Sequence, residues 1–302
     1  MIRTAVLLTC YGRPLLVRDA IASVLEQEPQ DWRLYIMDDG SDDHTRDAIR
    51  DILWDQEVVV LTGDRPTQNT GTARIIWWQG EPHTQEERRA IIRYSATINI
   101  ALNYLIGDEP YHAALCDDDY LLPGSLAGRA DYLDAHPEAE VVFGRLRMVQ
   151  FAVGGGRNTW QLMAAPVAGR RWLLPTGARV YDPREQRALA YYLGSAVDPD
   201  TSLPYVEEGF WLPGPMQYGR PCRIDHNQAM WRASCLRSPE WPMHADGVKR
   251  EYWRENRDAA VGDAAFFSIL GAERPFIGVD CWAATKRYHS YSEGVSDAEI
   301  RE

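Results

Sequence analysis

Leu34-Tyr35-Ile36-Met37-Asp38-Asp39-Gly40-Ser41 is an apolar run that ends abruptly in two carboxylates, a glycine and a serine. Four apolar residues closed by turn formers read as a strand buried on both faces. Toward the N-terminus, Val6–Thr9 is a second such strand. Pro14 follows where the first turn of a helix tolerates it, and Val17, Ile21, Val24 and Leu25 recur at helical spacing. Toward the C-terminus, Ile49, Ile52 and Leu53 mark the inner face of a helix and Val58–Leu61 another strand. Ile91, Ser95, Ile98, Leu102 and Leu105 form one stripe along a helix over Glu86–Leu105. His112–Leu115 is a strand that runs into Cys116-Asp117-Asp118-Asp119. Strands alternating with helices predict an α/β fold, a mixed, mostly parallel central sheet flanked by helices. In such sheets ligands bind at the carboxyl ends of the strands, where both acidic runs fall.

Beyond these elements the pattern changes. Residues 152–218 are rich in Gly, Pro, Arg and aromatics, and their periodicity is poor. Gly154-Gly155-Gly156 reads as a turn. Long irregular segments inside an enzyme are often lids or binding loops. Trp160, Trp172 and Trp211 fit sugar stacking or, more simply, aromatic packing. Regular signals return at Arg223–Trp231, read as a strand, and Ala264–Leu270, read as a helix. The reading is a single domain over 1–302, with a regular first part at 1–119 and a second at 120–302 that holds the irregular segment.

The formal net charge of -12 disfavours a nucleic-acid partner, which calls for a basic face. The cysteines Cys10, Cys116, Cys222, Cys235 and Cys281 are odd in number and contain no CxxC pair, so reduced thiols are expected. No stretch approaches the roughly 20 apolar residues that span a bilayer. The expectation is a cytoplasmic protein, with peripheral membrane docking left open.

Three acidic clusters carry the chemistry. A carboxylate in Asp38-Asp39-Gly40-Ser41 can accept from a nucleobase N–H while Gly40 lets the backbone turn closely; the same residues also suit a helix cap. Asp117-Asp118-Asp119 places three repelling carboxylates together, a cost that a hard cation such as Mg²⁺ or Mn²⁺ offsets, or a solvated turn relieves. Asp263, in Gly262-Asp263-Ala264, is suited to N-capping an apolar helix or to deprotonating an attacking hydroxyl. Asp225-His226 adds a second acidic candidate.

Taken together and in this order, these stretches resemble glycosyltransferase family 2 enzymes of the GT-A fold, in particular a branch acting in spore-coat polysaccharide synthesis. The matching residues are Thr9-Cys10-Tyr11, Ile36 to Ser41, Arg93-Tyr94 with Asn99, Asp117 to Pro123, and His136-Pro137-Glu138. Later come Pro221-Cys222, Ile224-Asp225-His226, Met230, Arg232, Ser234, and Gly262-Asp263-Ala264 with Phe266-Phe267. The match covers roughly 1–145 and 220–270. The resemblance implies nucleotide binding by Thr9, Tyr11, Asp39, Arg88 and Asp117, with Tyr11 stacking on a pyrimidine and Asp39 accepting from its N3–H. It implies a divalent cation, Mn²⁺ or Mg²⁺, at Asp118, catalysis by Asp263 as general base, and Asp225 as an orienting acidic partner that His226 could support. Asp119 stands where the family pattern has Asn. The implied reaction is metal-dependent, inverting transfer of a sugar from a UDP- or dTDP-sugar to a hydroxyl of a carbohydrate or other acceptor, in polysaccharide or glycoconjugate synthesis.

Three other classes fit less well. A nucleotidyltransferase would carry an early Gly-rich phosphate loop, which Thr9-Cys10-Tyr11-Gly12-Arg13 is not. A non-catalytic nucleotide-sugar-binding module leaves the acidic triplet together with Asp263 unexplained. A dinucleotide-dependent dehydrogenase would show GxGxxG after the first strand, and none is present.

Overall fold

The computed structural model describes residues 1–63, 72–150, 159–164, 171–172, 225–237, 266–267 and 276–288. Its strands are β1 Thr4–Cys10, β2 Trp32–Asp38, β3 Val58–Thr62, β4 Ile75–Gln79, β5 Tyr111–Cys116, β6 Tyr120–Leu121, β7 Val141–Gln150, β8 Thr159–Ala164, β9 Arg171–Trp172, β10 Ala229–Arg232 and β11 Phe276–Tyr288. The helices are α1 Pro14–Leu25, α2 Asp43–Ile52, α3 Gln85–Ala90, α4 Arg93–Ile100 and α5 Ser125–Ala135. One sheet runs in the order β3-β4-β2-β1-β5-β10-β7-β11-β6, with β8 on β7 and β9 on β11. From β3 to β5 every pairing is parallel, and β10 enters antiparallel between β5 and β7. The mixed, mostly parallel sheet flanked by helices is the expected one.

Alternation along β1 explains the two cores. Val6 and Leu8 pack with Val17, Ile21 and Val24 of α1, Ile49 of α2 and Leu126 and Leu133 of α5. Ala5 and Leu7 face the other way, onto Ile98, Ala101 and Leu105 and onto Phe266 and Phe267. Successive side chains of a strand point to opposite faces, so an all-apolar strand is covered on both. The chain leaves β1 toward β2 on one side and returns as β5 on the other, which makes the carboxyl ends of β1, β2 and β5 the switch point where such sheets open a crevice.

Several expectations are corrected. The sequence reading passed over β4, although Ile75-Ile76-Trp77-Trp78 is a β-branched and aromatic run of the right length. The single helix over Glu86–Leu105 is instead three pieces. α3 ends at Ala90, Ile91 and Ile92 are extended, α4 starts at Arg93, and Ala101–Leu105 is π-helical. Thr84 and Glu87 start α3 with reciprocal side-chain caps, and two adjacent β-branched residues then favour extended backbone. The strand read over Arg223–Trp231 begins only at Ala229, because Asp225–Gln228 form a turn closed by Gln228 N–H to Asp225 O at 2.9 Å. Within 152–218, β8 and β9 are regular strands. Trp160 and Trp172 lie on them, while Trp211, Cys222 and most of the Ala264–Leu270 helix lie outside the described residues. Cys10, Cys116, Cys235 and Cys281 are unbridged. Among the described residues no helix is long and apolar enough to cross a membrane.

Candidate active site

The turn after β2 separates its two carboxylates by role. Asp38 accepts from Ser41 N–H at 2.8 Å and from Arg46 Nε at 2.9 Å, and so holds the turn together. The cap of α2 is Asp42, whose Oδ1 accepts from Thr45 N–H at 2.9 Å. Asp39 is therefore neither cap nor turn brace. Gly40 has φ +74, and a Cβ there would lie 2.3 Å from Glu81 O, so glycine is required where the β2 turn meets the chain after β4.

Asp39 is gripped by two guanidinium groups. Arg88 Nη1 donates to its Oδ2 at 2.7 Å, and Arg93 Nε reaches Oδ1 at 3.1 Å, with Arg93 Nη2 on the same oxygen. The break between α3 and α4 makes this possible. Residues five apart on one continuous helix point about 140° away from each other. The extended Ile91-Ile92 step brings both arginines onto one carboxylate. The Arg88 guanidinium also lies 3.3 Å from the centre of the Tyr11 ring, a cation–π contact on one face, while Tyr11 stays 46% exposed. Tyr11, Asp39 and Arg88 thus form one cradle.

Beside this cradle, Asp117 is tied to the end of β1. Its N–H donates to Thr9 O at 3.0 Å and its Oδ2 accepts from Tyr11 N–H at 2.8 Å. Arg13 Nη1 donates both to Asp117 Oδ1 at 2.8 Å and to Asp118 Oδ2 at 2.9 Å. Burial, with the neighbouring Asp118 acting the same way, drives the Asp117 carboxyl up to about 7 despite Arg13. The side chain of Asp118 keeps 19% exposure, against 6% for Asp117, so Asp118 is the triplet carboxylate turned toward solvent of these two.

Asp119 faces inward. Its Oδ2 accepts from Asn227 Nδ2 at 2.7 Å, and the same amide nitrogen donates to Asp225 Oδ1 at 2.6 Å, while Asn227 Oδ1 accepts from Cys116 N–H at 3.0 Å. Both N–H donors of the amide thus join Asp119 of the triplet to Asp225 of the turn. Asp225 also pairs with Lys286 of β11. Burial raises the Asp225 carboxyl, but the Lys286 ammonium and His226 outweigh it and hold the group well below the ordinary carboxylate range. His226 Nε2 lies 2.9 Å from Cys116 Sγ, and its ring stacks on Tyr94. Arg129, fully buried, donates to Gln228 O and Ala229 O at 3.0 Å and so clamps the turn from α5.

The structure therefore gathers Thr9, Tyr11, Asp39, Arg88, Asp117 and Asp118 at the ends of β1, β2 and β5, with Asp225 behind Asp119. Asp263 lies outside the described residues. Arg13, Asn227 and Lys286 were missed. A buried Asp117 beside Asp118 demanded a cation, which points to Arg13, and Asn227 adjoins Asp225-His226. Nothing in the sequence joins Lys286 to a carboxylate 61 positions away.

Comparison with known proteins bears on the fold. Residues 5–76 match the family model described as Glycosyl transferase family 2. Protein CgeD of Bacillus subtilis (strain 168) is 29% identical over 147 residues, which is 49% of this chain and 30% of that protein. The solved structure of S. aureus TarS 1–349 superposes with a TM-score of 0.51 at 12% identity, over 94% of this chain and 60% of that one. The same TarS fragment in complex with UDP gives 0.50 at 13% identity, over 95% and 60%. At these identities the structures share the fold, which is GT-A. The chain spans under a third of CgeD and under two thirds of the TarS fragment.

Proposed function

We propose that this chain, with its family 2 N-terminal region and GT-A fold, transfers a sugar from a UDP- or dTDP-sugar to an acceptor hydroxyl by direct displacement with inversion. The observation that carries the proposal is the pairing, across one crevice, of the Tyr11–Asp39–Arg88 cradle with the Arg13-linked carboxylates Asp117 and Asp118. The TarS fragment solved with UDP supports a uridine nucleotide as the donor's handle.

The residues fit the parts of such a donor. Tyr11 offers a half-exposed ring for a flat base. Asp39 accepts four guanidinium hydrogen bonds, one from Arg88 and three from Arg93, about what a carboxylate can take, so a pyrimidine N3–H would replace one of them. A guanine or adenine would present a different edge there. Asp117, pinned by Tyr11 N–H and Arg13, faces the ribose side.

The chemistry of Asp118 suits Mn²⁺ or Mg²⁺. Such ions take one or two protein carboxylates and complete their shells with phosphate and water, and Asp118 is the solvent-facing member of the Asp117–Asp118 pair. Arg13, 41% exposed, stands in for that positive charge and has room to move aside. When bound, the ion supplies charge neutralisation for the diphosphate. Asp225, held ionised by Lys286 and braced by Asn227, orients its surroundings rather than accepting a proton. That leaves Asp263 as the base for the acceptor hydroxyl, on the strength of its sequence motif.

The test is a thermal-shift series with UDP, dTDP, GDP and ADP, each with and without Mn²⁺. Ligand that binds only the folded chain raises its midpoint. The expected result is stabilisation by UDP or dTDP, larger with metal. Equal response to all four nucleotides, or none to any, would contradict the proposal.

A further inference from the structure

The crevice carries a cation that neither the family motifs nor the nucleotide cradle accounts for. β11 runs antiparallel to β6, with Thr285 opposite Tyr120, so Lys286 arrives one residue beyond the pairing, beside the acidic triplet. Its ammonium pairs with Asp225 Oδ2. An ammonium has three N–H donors. Among the described residues Asp225 is the one hydrogen-bonded partner of Lys286, and 30% of the side chain remains exposed.

The local charge balance gives this group a task. Asp117 and Asp118 share Arg13, whereas Asp119 and Asp225 share the neutral Asn227 amide and the single charge of Lys286. A diphosphate entering this crevice adds further negative charge against four carboxylates. Lys286, its side chain 30% exposed and carried on the last described strand beside the triplet, is placed to meet it.

We propose that Lys286 binds the diphosphate of the donor, donating to a phosphate oxygen while Asp225 holds it in place. The inference rests on the donor-site reading above and adds a residue to it. Asp225 then has a defined part: it is the anchor of the phosphate-facing ammonium.

Isothermal titration of UDP and of uridine, both with Mn²⁺, into the wild-type chain, Lys286→Gln, Lys286→Arg and Asp225→Asn tests it. Loss of one charge-assisted phosphate contact is worth roughly tenfold or more in affinity. Lys286→Gln should weaken UDP by that factor and leave uridine within about twofold, and Lys286→Arg should restore most of the loss. Asp225→Asn, which removes the anchor and leaves the ammonium, should weaken UDP relative to uridine, but by less than Lys286→Gln. Equal weakening of UDP and uridine in Lys286→Gln, or no weakening of either, overturns the inference. So does an Asp225→Asn chain that weakens uridine as much as UDP, a readout that also serves should Lys286→Gln fail to fold. A wild-type chain that binds neither ligand overturns the donor-site reading itself.

Discussion

At the scale of single residues, neighbouring carboxylates in this chain differ in what surrounds them, and that difference assigns their work. Asp38 spends its oxygens on Ser41 and Arg46, and Asp42 spends one on the α2 cap, so Asp39 alone of the three meets Arg88 and Arg93. In the triplet, Asp119 is sealed by Asn227 and Asp117 by Tyr11 and Arg13, leaving Asp118 toward solvent. Two predictions belong here. Asp118→Ala should abolish the increment that Mn²⁺ adds to UDP affinity, as read by calorimetry with and without metal; an undiminished increment would exclude Asp118. Asp263→Asn should slow sugar transfer by about 10²–10⁴-fold, the usual worth of general-base assistance, with UDP affinity retained. Steady-state kinetics beside the binding titration decide it, and wild-type turnover would remove Asp263 from the reaction.

At the scale of elements, the joints matter more than the elements. The α2 cap places Asp39 by fixing where the β2 turn stops and the helix starts. Asp42→Ala should cost about 1 kcal/mol at neutral pH, the typical worth of such a cap, measured by urea denaturation. The Thr45 N–H and hydroxyl lower the Asp42 carboxyl in the fold. A folded pKa below the unfolded one gives stability that is present above the unfolded value and lost as pH falls through the folded one. The gap between wild type and Asp42→Ala should therefore narrow below about pH 3.9, the ordinary aspartate value. A gap that widened there would contradict the assignment. Strands and helices with a clean period were legible in the sequence: β1, β2, β3, β5, α1 and α2 stand within a few residues of their expected places. The α3–α4 break was not, because the stripe from Ile91 to Leu105 fits a continuous helix, and the β-branched Ile91-Ile92 pair that interrupts it is a weak local signal beside that stripe. The Asp225 turn was hidden as well, since Arg129 and Asp119, which hold it, are distant in sequence.

At the scale of the whole molecule, one sheet joins the nucleotide cradle to the strands from the second half of the chain, and β10 inserted between β5 and β7 is the seam. Arg129 spans that seam. Burial lowers its guanidinium to about 10, yet it stays charged at neutral pH and satisfies the carbonyls of Gln228 and Ala229 along with Ser125. Arg129→Met should strand those buried acceptors and cost roughly 3 kcal/mol in denaturant unfolding, part of the loss being offset by relief of a buried charge. A neutral substitution would show that the seam is held elsewhere. The site's candidate members were readable one by one because strand ends display them. Their mutual geometry was not, since Lys286 and Asn227 act across more than sixty and more than a hundred residues.

The central claim is that a pyrimidine diphosphate seats across the ends of β1, β2 and β5. Crystals grown with UDP and Mn²⁺ test it most directly. The account predicts the uracil against Tyr11 with its N3–H on Asp39, and the ion between Asp118 and the phosphates. Nucleotide density anywhere else on the molecule, with that crevice bare, would contradict it.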